Sequence, residues 1–233
     1  VTAQLAADPR AAEAPNTQPG TLVVLALATA AMLGILGAVA INPFIPDIAD
    51  DLDASVPVLG QIETIGTLLA APFGLLVAPL AARFGHRRLI IIGLVATAVA
   101  GLLSAVAPVF AMLLAAQLLA LLGVAILALL PLALVASLCV GDAQRRSMSW
   151  VIGGLSVAGI VGIPLLTLVG QLASWRVAFL VQGGLAAAGV ALLVAVVPRR
   201  APASSAPLRP RVIAAAYRPI ASDRAMRVLM GAS

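Results

Sequence analysis

The chain has 233 residues; 62% are hydrophobic, only 10% are charged, and the formal net charge is +5. Soluble domains are about 45–50% apolar and about 25% charged, so a water-soluble fold is excluded and lipid must be the solvent for most of the chain. The fourteen positive residues are all arginine; they stand at the ends of apolar runs, not along a polar surface with interleaved aromatics, which argues against a nucleic-acid partner.

Taken in chain order, residues 1–20 are polar and proline-containing and read as a disordered cytoplasmic tail. They lack the basic region and short apolar core of a secretory signal. Six apolar spans follow, at 21–45, 57–81, 88–107, 110–139, 148–171 and 177–197. A spanning helix needs about 20 mostly apolar residues. These runs are continuous and rich in Ala, Leu and Gly, so they read as helices and not as the alternating strands of a barrel. The expected fold class is therefore all-α, a polytopic membrane protein of six transmembrane helices. Cys139 lies in an apolar run and reads as a small packing residue. Beyond Val197 the string "PRRAPASSAPLRPR" opens a cytoplasmic linker, 198–222, and residues 223–233 turn apolar again, as the start of a truncated seventh span.

The charges alternate along the connections. The first holds Asp47, Asp50, Asp51 and Asp53 and reads as a solvated outer loop. The second holds Arg83, His86, Arg87 and Arg88, the fourth Asp142, Arg145 and Arg146, and the fifth only Arg176. Positively charged loops stay cytoplasmic, which places the second and fourth connections and the N-terminus inside.

One arginine knot carries more than topology. The string "APLAARFGHRRLI" resembles the signature loop between the second and third spans of the major facilitator superfamily, with Leu80, Arg83, Gly85 and Arg87 in matching positions. Ala78 stands at the family's first glycine and Ala82 at its usual aspartate. The resemblance implies a cytoplasmic gate loop built from Arg83, Gly85 and Arg87. Without the aspartate, its cations must find partners elsewhere, such as the carbonyl ends of neighbouring helices.

A second string, "GLSVAGIVGIPLLTLVGQLASWRVAFLVQGG", resembles the fifth span and fifth-to-sixth connection of the twelve-span sugar- and drug-efflux branch. Gly159, Gly162, Pro164, Gly170, Trp175, Arg176 and Phe179 fall in place. Pro164 lacks an N–H and bends a helix, and glycines permit close helix approach. The resemblance implies a kinked fifth span, with Gly159, Gly162, Pro164 and Gly170, that seals the path. Trp175 and Arg176 also suit an interfacial anchor. The family's fourth-span arginine is Gln117 here.

The two halves of the spanning region can be laid over one another, each with Gly and Pro in a helix, an arginine at its exit and a new apolar span. That fits two inverted three-helix repeats, one half-bundle of such a transporter, and implies a missing C-terminal six-helix half. Glu63 alone among the acids lies within a span; it reads either as a proton carrier or as an outer-rim glutamate facing water. Asn42, Gln117 and Gln182 read as substrate-cavity groups, or as partners of neighbouring helices and backbone. No metal-ligand cluster, nucleophile–base pair or phosphate-binding loop is present in the sequence, so neither an enzyme nor a cofactor is expected. The resemblance implies a multi-pass carrier in a bacterial inner membrane that exports a small organic solute, sugar or drug-like, by alternating access against protons. A same-fold importer or uniporter, or a non-transporting six-helix membrane protein, stays open at this point.

Overall fold

A computed structural model describes residues 20–197. All of residues 1–20 but Gly20, and the stretches 198–222 and 223–233, lie outside these. The described residues form eight α-helices: α1 (Thr21–Val39), α2 (Ile45–Asp51), α3 (Val56–Phe84), α4 (His86–Ala105), α5 (Phe110–Leu138), α6 (Asp142–Val157), α7 (Ile163–Leu172) and α8 (Trp175–Val196). They make six spans, because α1 continues into α2 and α6 into α7.

Two spans are longer than their apolar runs predict. The first extends through Asp51. Its break is a 3-10 turn, Asn42–Phe44, where Pro43 removes a backbone donor. Pro46 and Asp47 then favour a new helix start, so three aspartates expected in a loop lie on α2 instead. The fifth span begins at Asp142. An acid in the first turn suits the positive end of the helix dipole, so Arg145 and Arg146 are helical too.

Helix packing depends on missing side chains. A Cβ on Gly101 of α4 would stand 2.8 Å from the Gly183 Cα of α8, and one on Gly154 of α6 would stand 2.6 Å from the Ala28 carbonyl oxygen of α1. Small residues let backbones approach this closely where lipid supplies no hydrophobic drive between helices. Two apolar clusters result, one toward each end of the bundle, around Leu27, Ile90 and Leu127 and around Phe44, Leu113 and Phe179.

Contacts follow an approximate exchange of the first three spans with the last three. The first packs on the fourth and the third on the sixth, while first-on-fifth is matched by second-on-fourth. The exchange leaves two spans on the outside. Within an 18-residue apolar stretch of each span, only 17% of the second and of the fifth is buried, against 39–56% for the other four.

Candidate functional site

At one end of the bundle, Arg87 answers the question of where the acid-free arginine knot finds partners. Its Nε donates to the Val197 carbonyl at 2.6 Å and its Nη2 to the Val194 carbonyl at 2.9 Å. These are carbonyls that the last turn of α8 leaves without helical donors, at the negative end of its dipole. Gly85, between α3 and α4, has φ +86°, a conformation that a residue with a Cβ resists. Arg83 lies against its own neighbour, with the guanidinium 5.3 Å from the Phe84 ring centroid. Among the three knot residues, therefore, only Arg87 reaches another span.

At the opposite end three connections are tied together. Arg176 Nη1 donates to the Ala107 carbonyl at 2.6 Å, and Nη2 lies 2.8 Å from Asp51 Oδ2. The same carboxylate oxygen accepts from Trp175 Nε1 at 3.2 Å. The guanidinium also covers the Trp175 ring at 4.3 Å. Asp51 was expected in a solvated loop, and the clamp is what that reading missed. The signal was present: alternate connections share a side, so the lone arginine of the fifth must face the acids of the first.

The fifth span is not one continuous α-helix. Residues Ala158–Gly162 form a π-helical turn, in which the Ile163 N–H reaches back to the Ala158 carbonyl. Such bulges absorb local breaks in the α ladder, and Pro164 in the first turn of α7 cannot supply the next donor. The four glycine and proline positions differ in surroundings. Gly159 and Pro164 are exposed. A Cβ on Gly162 would meet Leu36 Cδ1 at 3.3 Å, one on Gly170 would strike the Phe44 ring, and one on Gly159 would meet nothing within 4 Å.

Polar groups inside the spans divide into two sets. Gln117 and Gln182 are buried in the half-bundle, 4% and 2% exposed. Gln117 Nε2 donates to Ser104 Oγ at 3.1 Å, joining α5 to α4. Gln182 lies where Gly37 of α1 and Gly101 of α4 make room for it. Glu63 and Asn42 are exposed instead. Glu63 sits on α3, two turns in from Val56, or about 10 Å along the axis. Among the described residues, neither it nor Asn42 has a hydrogen-bond or ion-pair partner. No group of three or more His, Cys, Asp or Glu able to hold a metal occurs among the described residues.

Comparison with known proteins bears on this arrangement directly. The pattern describing the Major Facilitator Superfamily matches residues 27–233. The chain belongs to the Major Facilitator Superfamily. It is thus a multi-pass membrane protein of a transporter family, not of an enzyme family. Among curated superfamily relatives, the inner membrane transport protein YdhP of Escherichia coli K12 is 28% identical over 194 residues, covering 81% of this chain and 48% of its own. A chloramphenicol resistance protein of Streptomyces lividans is 30% identical over 138 residues, covering 58% of this chain and 34% of its own. The chain spans about half the length, or less, of these superfamily relatives.

Proposed function

We propose that this half-bundle works with a second six-helix half as an exporter of a small organic solute, by alternating access coupled to protons. The observation that carries the reading is the low burial shared by the apolar stretches of the second and fifth spans. An apolar span left open within a folded bundle needs either lipid or protein against it, and the groups that suit a transport path sit on these same two spans. Glu63 is exposed on one, and the π turn with Pro164 is exposed on the other. An acid in a low-dielectric path takes up and releases a proton as its surroundings change, and a bulge beside a proline provides a hinge. The half-bundle itself is held rigid by buried groups, with Gln117 and Gln182 as ties between helices and not as solute contacts.

In this reading the arginine-bearing end, with Arg87, Arg88 and Arg146, faces the cytoplasm, and the clamp of Asp51, Trp175 and Arg176 faces out. Arg87 on the α8 carbonyls serves as the inner gate's anchor. Similarity to a chloramphenicol resistance protein favours export and makes an amphenicol the first solute to test. Everted vesicles carrying the full-length protein should accumulate labelled chloramphenicol or sugar when a pH gradient is imposed, and lose that capacity when Gly162→Leu blocks the hinge. Uptake that runs in the reverse sense would make the protein an importer. No flux for any solute tested would favour a non-transporting role.

A further inference from the structure

The third and sixth spans, α4 and α8, pack on each other and are close in length, at 20 and 22 residues. Each begins with a ring-bearing residue followed by an arginine, His86 and Arg87 in α4, Trp175 and Arg176 in α8. The two helix starts are 89 positions apart in the chain, and so are the two arginines.

The two arginines make equivalent contacts. Arg87, in the first turn of α4, donates to the Val194 and Val197 carbonyls at the end of α8. Arg176, in the first turn of α8, donates to the Ala107 carbonyl just beyond the end of α4. Among the described residues, these are the two arginines that bond to another span. The start of each helix therefore lies level with the end of the other, and the pair runs antiparallel. Each guanidinium sits at the negative end of the other helix's dipole.

Between these ends the two helices meet on glycine. A Cβ on Gly101 would stand 2.9 Å from the Gly183 nitrogen, and one on Gly183 would stand 2.9 Å from the Leu102 nitrogen. At this closest approach bare backbone lies on bare backbone. Such contact brings helices together where lipid supplies no hydrophobic drive, but a glycine has no side chain to lock one helix against sliding along the other. The end contacts supply that lock. They sit at opposite ends of an antiparallel pair, so any axial slip carries both arginines away from their carbonyls at once.

We infer that Arg87 and Arg176 are one device, a reciprocal pair of end fastenings that fixes the axial register of the third span against the sixth. The fastening is a property of the half-bundle and holds whichever solute the protein moves.

The test measures register directly. In the full-length protein in lipid nanodiscs, on a background without other cysteines, spin labels are attached at Ile92→Cys of α4 and Leu180→Cys of α8. Both positions are exposed and stand toward opposite ends of the pair, so a slip changes their separation. The parent, Arg87→Gln and Arg176→Gln should each give one narrow distance distribution. The double variant should broaden it and add a population displaced by one helical turn, ~5 Å. Arg83→Gln combined with Arg145→Gln removes the same charge from arginines that contact only their own helix, and should leave the distribution narrow. An unshifted double variant would overturn the inference. So would a single variant, or the charge control, that broadens the distribution as far as the double. If the double variant does not assemble, hydrogen exchange in single variants decides the matter. Arg176→Gln should quicken exchange at the end of α4, in residues 102–107, and Asp51→Asn, which spares the Ala107 contact, should not. Quickening confined to the start of α8, or equal for the two variants, would refute the reciprocal fastening.

Discussion

Arg176 and Asp51 lie 2.8 Å apart although 125 positions separate them in the chain. The pair closes one end of the bundle, because the same guanidinium also takes the Ala107 carbonyl. Side-chain exposures of 35% and 47% mean that water screens the pair, so its coupling energy should be about 0.5–1 kcal/mol. A double-mutant cycle of Arg176→Gln and Asp51→Asn, followed by denaturation in mixed micelles, measures it. Strictly additive effects of the two substitutions would reduce the clamp to a coincidence of geometry.

At the other end, Arg87→Ala should loosen the last turn of α8 by uncovering the Val194 and Val197 carbonyls. Hydrogen exchange should quicken in the peptide that contains residues 193–197. Arg83→Ala, which removes only a contact with Phe84, should leave that peptide unchanged. Similar exchange in both variants would mean that Arg87 does not cap α8.

Three glycines of the fifth span make a graded series. Gly159→Ala meets open space and should change stability by less than about 0.5 kcal/mol. Gly162→Ala brings a methyl to 3.3 Å from Leu36, which a leucine terminus can accommodate. Gly170→Ala drives into the Phe44 ring and should cost about 1–3 kcal/mol. Thermal denaturation of the three variants in detergent would rank them, and a reversed order would refute the packing described.

The proposed orientation has a direct test. On a Cys139→Ala background, Arg145→Cys should react with an impermeant maleimide only from the cytoplasmic side, and Ser55→Cys only from outside. Labelling of both from one side would break the alternation of connections on which the orientation depends.

For coupling, Glu63→Gln keeps the shape of the side chain and removes its titration. If Glu63 carries the proton, solute flux driven by a pH gradient should disappear in the full-length protein while solute binding persists. Parent-like flux would move the proton site elsewhere.

Much of this protein is legible from composition and order alone. Six spans follow from apolar runs because lipid leaves the backbone no alternative to internal hydrogen bonding. Among the described residues, the gathering of every arginine but Arg176 at one end follows because successive spans must reverse direction. The break in the α ladder ahead of Pro164 follows from a missing N–H. Tertiary structure decided matters that depend on neighbours distant in sequence. A continuous apolar helix shows no polar stripe to mark its inner face, so nothing in α3 or α6 announced that these spans would be the open ones. Packing against α1 and α5 settled that, and with it the exposure of Glu63. Gln117 and Gln182 look alike as isolated amides in apolar runs, yet Ser104, Gly37 and Gly101 determine that both turn inward. Asp51 became a clamp residue, and Arg87 a helix cap, only when folding brought Arg176 and the end of α8 beside them.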